Sequence, residues 1–340
     1  MESPRTRRRR RSRPRGRRPR ARAALAALAV VGVMAGGTVY VKARAHSGGG
    51  DVSSAASPSA SSPAPAGEEE SVRPVTEPTV DRGALLRTAV TAVTVPSGAR
   101  VSAAVLDLDS GERAVHGDAA FDTASIVKVD ILAALLLQAQ DAGRHLTAAE
   151  RAYATKMIEN SDNDSATALW QGIGGADGLD AANERFGLTD TTGGDGPLWG
   201  LTQTTAADQL TLLHQVFGDD SELSEASRHY LQGLMESVET DQRWGVSAAA
   251  DGSGYALKNG WLARSTTGLW DVNSIGRITV DGTAYLVAVL SKGTASKARG
   301  IDLVETTVRA ALSAFTAQPA PETTPTASPA TTASPTAPTQ

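Results

Sequence analysis

The 340-residue chain has no cysteine. Disulfides, thiol nucleophiles, Cys-based metal sites and a lipidated cysteine anchor are therefore excluded, although export is not. Aromatic residues are scarce at 4%, which makes the clustering of Trp199, Trp244, Trp261 and Trp270 in the C-terminal half notable. Core packing is the ordinary reading for each, and Trp261 is the one expected to edge a cleft. Lysine is scarcer still, with six against 27 arginines. Arginine stays protonated in proteins while lysine can act as a base, so each lysine position carries weight. His46, His116, His145, His214 and His229 show no metal-ligand spacing, and neither a metal nor a cofactor is expected. No G-x-S-x-G element is present, so a nucleophile-elbow hydrolase is not indicated.

What is present is unevenly distributed. Residues 1–22 hold twelve Arg and one Glu, whereas the whole chain carries a net charge of −4, which leaves the remainder at −15. A body this acidic argues against nucleic acid as a partner, because phosphate contacts need a basic surface. After the Arg-rich segment come nineteen uncharged, mainly apolar residues, Ala23 to Val41. At 1.5 Å per residue they span roughly 28 Å, close to the thickness of a bilayer core. The flanking arginines would stay in the cytoplasm, placing everything after Lys42 outside the cell membrane. A cleaved signal peptide, with Ala43-Arg44-Ala45 as its small-x-small site, is the competing reading. Residues 42–80 are rich in Ser, Ala, Pro and Gly and read as a disordered spacer, and residues 318–340 read as a disordered Thr/Pro/Ala tail.

Residues 81–317 between them are long enough for one well-buried domain, read here as a monomer. The pattern is mixed α and β. A helix is expected over Arg82–Val95, strands over Arg100–Asp107 and Glu112–His116, and a helix over Ser125–Ala142 stopped by Gly143. In that last helix Ile126, Val127, Val129, Ile131, Leu132, Leu135, Leu136 and Leu137 surround most of the axis, which marks it as central and buried. More helices follow to about Phe217. Strand-like runs at Tyr255–Lys258, Trp270–Val280 and Ala284–Ser291 then lead to a closing helix over about Ser296–Phe315. The expected fold is α+β: an antiparallel sheet flanked by helices, with an all-helical lobe packed on it.

Three short elements carry chemistry. In Ser125-Ile126-Val127-Lys128 the hydroxyl and the amine are one helical turn apart and share a face. Ser125 falls at the helix start, where free N–H groups favour developing negative charge. A lysine against an apolar core has a lowered pKa and can accept a proton. Ser161-Asp162-Asn163 lies between two helical runs, where a turn or helix cap is the ordinary reading. Lys258-Asn259-Gly260 ends a strand-like run, and its glycine lets a ligand approach the backbone closely.

Taken in order, these elements resemble the S-x-x-K, S-D-N and K-T-G set of class A β-lactamases and penicillin-binding proteins, with Asn259 in place of the usual Thr. The resemblance covers the central domain, including Thr204-Thr205 to Leu213, which looks like the family's helix after its active-site loop. It implies that Ser125 attacks the carbonyl of a β-lactam or a D-alanyl-D-alanine-like peptide and forms an acyl-enzyme. Lys128 would take the serine proton, Ser161 would relay one to the leaving nitrogen, and Lys258 would attract the substrate carboxylate. Asn163 would hold the substrate amide, with Asn259, Gly260 and Trp261 also lining the substrate site. The N–H groups of Ser125 and Trp261 would form the oxyanion hole. Two departures stand out. Class A enzymes carry a deacylating glutamate on a loop between the second and third motifs, and Leu188–Thr204 is short for that loop and has no Glu. The interval between Ser125 and Ser161 is also short. A binding or sensor module that is acylated without turnover is the alternative to an enzyme.

Overall fold

The computed structural model describes residues 80–252 and 254–316. The expected Arg-rich segment, membrane anchor, spacer and C-terminal tail lie outside the described residues. No helix among the described residues is long and apolar enough to cross a membrane.

The chain opens with helix α1 (Arg82–Thr91), capped by Asp81, whose Oδ1 accepts from Ala84 N. It ends four residues before the expected Val95, ahead of Pro96, consistent with the bias of the residue before proline towards extended backbone. Strands β1 (Arg100–Asp107) and β2 (Arg113–His116) form a hairpin. The short strand β3 (Phe121–Asp122) leads through a 3-10 turn, Ala124–Ile126, into α2 (Val127–Asp141). The expected single helix from Ser125 is thus a tight turn followed by a helix. Helices α3 (Ala148–Glu159), α4 (Asn163–Ile173) and α5 (Gly175–Phe186) follow. Strand β4 (Gln203–Thr204) pairs with β3, and α6 (Ala206–Phe217) and α7 (Glu225–Glu236) complete the lobe. The chain returns as β5 (Tyr255–Ala263), β6 (Trp270–Val280) and β7 (Thr283–Thr294), then ends in α8 (Lys297–Thr316).

The five-stranded sheet runs β2-β1-β7-β6-β5 with every pairing antiparallel. Because side chains alternate across a strand, each face collects its own core. On one face Val287, Val289, Leu257 and Val272 pack with Val304 and Val308 of α8 and Leu86 of α1. On the other, Ala288, Leu290 and Ile275 pack with the helical lobe. Helix α2 is the lobe's axis, with Ile131, Leu132, Leu135 and Leu137 fully or almost fully buried. Its apolar residues point in all directions because protein surrounds it, and Lys128 and Asp130 are buried within it as well. The termini of the domain are clamped together where Arg82 donates to Glu112 and to the carbonyl of Ala314, its guanidinium lying 5.5 Å from the Phe315 ring centroid.

Candidate active site

The site forms where the edge strand β5 meets the start of α2. Its backbone is held under constraint. Three described non-glycine residues adopt positive φ, and two are at the site: Ala124 (48°), immediately before Ser125, and Ser161 (55°). Left-handed backbone at such residues persists only where the surroundings enforce it. Around Ala124 the enforcement is visible. Asn273 Nδ2 donates to the carbonyls of Asp122 (2.9 Å) and Thr123 (3.0 Å), and Thr123 N donates to Thr202 O at 2.9 Å. Strand β5 then closes on this turn at Gly260. A Cβ there would lie 2.7 Å from Thr123 O and 2.8 Å from the amide nitrogens of Ser125 and Ile126. Only glycine permits that approach, which brings the Ser125 amide and the start of Trp261 to one rim.

Behind Ser125 lies a compact polar cluster. Lys128 Nζ donates to Ser161 O (2.6 Å) and Asn163 Oδ1 (2.8 Å), and lies 3.1 Å from Ser161 Oγ. Lys258 Nζ donates to Ser161 Oγ (3.0 Å) and to Asn259 O (3.0 Å). The Ser161 hydroxyl therefore sits between two buried amines. Asp162 fixes the turn by capping α4, its Oδ1 accepting from Ser165 N at 2.8 Å. Burial drives the Lys128 pKa down to about 7, against a smaller opposing pull from the Asp162 carboxylate. Lys258 is pushed well below the ordinary lysine range, first by burial and second by the charge of Lys128. An amine that loses its proton near neutrality can take one from a hydroxyl.

The cluster opens into a cleft of about 650 Å3 lined by Ser125, Asn163, Thr167, Trp199, Leu262 and Arg264 among others. The segment between α5 and α6 crosses it as a strap. Asp208 ties the strap down by accepting from Asp190 N (2.8 Å) and Thr191 Oγ1 (2.7 Å), and Trp170 Nε1 donates to Gly196 O at 2.8 Å. Asp190 and Asp195 are exposed and neither is among the cleft's lining residues.

The expected site residues do not all fall in one place. The structure brings Ser125, Lys128, Ser161, Asn163, Lys258 and Gly260 together. Asn259 is placed differently from the sequence expectation, whereas Trp261 stands at the edge of the cleft among its lining residues. Strand alternation sends Lys258 and Gly260 towards the lobe, and Asn259 and Trp261 towards α8. Asn259 is 1% exposed, and its Nδ2 donates to the carbonyls of Gln242 (2.7 Å) and Trp244 (3.0 Å), bracing the segment behind the strand. The Trp261 ring stacks obliquely on Trp244, and Lys297 Nζ lies 3.5 Å from its centroid. Sequence reasoning missed Trp199, which it took for a core residue. Its ring faces Lys128 Nζ at 4.9 Å and its Nε1 donates to Thr167 Oγ1 at 3.2 Å. The sequence signal was the placement of Trp199 inside the strap, at the place where a catalytic loop was expected.

An antiparallel sheet between α8 and a helical lobe, with a serine at the head of the central helix and two buried lysines behind it, defines a serine hydrolase of the β-lactamase and penicillin-binding type. The chain belongs to the β-lactamase enzyme family, whose model matches residues 85–315. Among solved structures, an acyl-enzyme complex of a PBP-A variant with penicillin G is 25% identical, with a TM-score of 0.58, covering 68% of this chain and 96% of that one. The TLA-3 extended-spectrum β-lactamase is 16% identical, with a TM-score of 0.60 and coverage of 67% and 97%. Among curated proteins, the "Putative lipoprotein LppW" of Mycobacterium tuberculosis is 27% identical over 172 residues, covering 48% of this chain and 55% of that protein. The chain thus spans about half the length of the curated relatives it matches.

Proposed function

We propose that this protein is a membrane-anchored, extracytoplasmic serine hydrolase that forms an acyl-enzyme with β-lactams or D-Ala-D-Ala-like peptides and releases it slowly. The observation that carries the reading is the Ser161 hydroxyl held between Lys128 and Lys258 at 3.1 and 3.0 Å. Lys128 exchanges its longest contact, to Ser161 Oγ, for the Ser125 hydroxyl one turn away and takes its proton as Oγ adds to the substrate carbonyl. The oxyanion is received by the N–H groups of Ser125 and Trp261. As the C–N bond breaks, Ser161 passes a proton to the leaving nitrogen and is replenished from Lys128. Asn163, its Oδ1 engaged by Lys128, turns its N–H2 end to the substrate amide. An arriving substrate carboxylate favours the protonated form of Lys258 and is held by it. The penicillin G acyl-enzyme of the PBP-A variant supports the acyl-enzyme part of this reading.

Slow release follows from the cleft wall, where no Asp or Glu is among the lining residues. A water attacking the ester needs a positioned base, and losing one removes about 10²–10⁴ in rate. The same observation favours the second reading, a sensor module that is acylated and not turned over. The membrane reading rests on the Ala23–Val41 segment following twelve arginines, with the lipoprotein-named relative as further support.

One experiment addresses the whole reading. Intact cells expressing the full chain are labelled with a membrane-impermeant fluorescent penicillin. The label is expected on a membrane-bound band that external protease removes, and Ser125→Ala is expected to abolish it. Equal labelling of wild type and Ser125→Ala would overturn the nucleophile, and a labelled band in the soluble fraction would overturn the anchor.

A further inference from the structure

The amine of Lys128 is crowded on every side. Beyond Cε its nitrogen has three bonding directions, and these meet Ser161 O at 2.6 Å, Asn163 Oδ1 at 2.8 Å and Ser161 Oγ at 3.1 Å. The indole of Trp199 covers the side that is left, 4.9 Å from nitrogen to ring centroid. That ring is fixed twice. Its own Nε1 donates to Thr167 Oγ1 at 3.2 Å, one turn beyond Asn163 on α4, and Trp170 Nε1 ties the strap three residues earlier through Gly196 O. Flanking Trp199, Leu201 N donates to Leu198 O at 2.8 Å and Thr202 N to Trp199 O at 3.2 Å. The strap therefore presents a held aromatic face to the lysine.

We infer that Trp199 is a positioning residue that caps Lys128 and keeps water from the acylated serine, so that this indole sets the lifetime of the acyl-enzyme. The inference rests on the acyl-enzyme reading above. In hydrolysis a water oxygen adds to the acyl carbon and the bond from that carbon to Ser125 Oγ breaks. One water proton is taken up by a base and returned to Oγ, giving the free acid and the free serine. Lys128 is the base one helical turn from Ser125, and its one releasable contact is the direction it turns to Ser125 Oγ. A second approach to the nitrogen opens only where the indole lies. A cation facing a ring is also attracted to it, which holds the protonated amine in place between steps. The strap thus does more than lack an acid, because it fills the space a water would need.

The test acylates the full-length protein, Trp199→Ala and Trp199→Phe with excess benzylpenicillin, removes free reagent and follows the adduct by intact-protein mass spectrometry. All three are expected to carry one equivalent. Trp199→Ala should shed it at least about tenfold faster than wild type, a part of what a well-placed base contributes. Trp199→Phe keeps an aromatic face and should stay within about threefold. A second readout separates positioning from general loosening. The pH at which acylation is half-maximal should rise in Trp199→Ala, because readmitted water weakens the burial that holds the Lys128 amine neutral, and should hold in Trp199→Phe. Should Trp199→Ala fail to fold, Trp199→Leu, which keeps more volume and no ring, carries the same expectations. Equal release from wild type and the ring-less variant, both acylated, overturns the inference while leaving the acyl-enzyme reading intact. A wild type that takes up no penicillin overturns that reading, and the inference falls with it.

Discussion

The two sides of helix α2 are opposites in charge. Towards the cleft stand Lys128 and Lys258, two amines that burial deprotonates easily. Towards the strap stands Asp130, fully buried, with Asp180 and Asp208 close enough to raise its pKa further after burial itself; it is lifted to about 8. With the Asn183 amide oriented to donate, its nitrogen lies 2.9 and 3.2 Å from the two Asp130 oxygens. Asp180 and Asp208 are the residues that hold the strap, through Gly193 N, Asp190 N and Thr191. The lesson is that one buried helix serves a reactive wall and a structural wall two residues apart. Burial pulls the two walls in opposite directions, favouring release of the lysine protons on one and retention of the Asp130 proton on the other.

The comparison breaks most sharply at Gly260. Adding a methyl group there forces β5 away from the Ser125 amide, 2.8 Å from where the new carbon would sit. Gly260→Ala should cut the rate of penicillin labelling by about 10²-fold or more, the order expected when an oxyanion donor is displaced. Its effect on the strap wall should be small, so the urea midpoint should fall modestly beside the loss of labelling. A Gly260→Ala protein labelled at the wild-type rate would mean that the close approach is not needed.

The strap wall is sharpened by Asp130→Asn. In the folded protein Asp130 holds its proton to about pH 8, whereas in the unfolded chain it releases it near 3.8, the ordinary value for an aspartate. The unfolded state therefore binds fewer protons between those values, and stability falls as pH rises through the window, at up to about 1.4 kcal/mol per pH unit. Removing the titrating group should flatten that slope between pH 4 and 8 in urea titrations while penicillin labelling continues. An unchanged slope would show that another group governs it.

The smallest expected effect tests the reactive wall. Lys128 must be neutral to accept a proton, so acylation should rise with pH around a midpoint near 7, the value to which burial lowers it. The Asp162 carboxylate pulls that value upward. Asp162→Asn keeps a helix-capping side chain and removes the charge, so the midpoint should move down, by less than about one pH unit for a pair screened by solvent. An upward movement in a stopped-flow pH series would contradict the assignment of Lys128 as base.

Much of this was legible in the sequence because it rests on local rules. Strands β1 and β6 run over the expected Arg100–Asp107 and Trp270–Val280, where β-branched and apolar residues alternate between turns. The axial position of α2 followed from apolar residues on every side. The three motifs placed six site residues in one cluster. Side-chain direction in β5 was not legible, because the run continues five residues past Lys258 and only the pairing of Gly260 with Asn273 fixes which side faces the lobe. Trp199 was hidden for a similar reason. Its contact with Lys128 spans 71 residues of chain and depends on ties from α4 and α6 that no short pattern encodes. The turn at Ala124 likewise depends on Asn273, far away in sequence.

The buried lysine pair has a thermodynamic consequence. Two amines without a carboxylate between them are costly to remove from water, and apolar replacements of similar volume in such places are often neutral or stabilising. The domain is therefore less stable than its core would allow, by an amount stored beside the nucleophile. A population selected for heat resistance alone would drift towards chains that keep the sheet and the lobe and discard both lysines. The fold outlasts the site unless something keeps testing the chemistry.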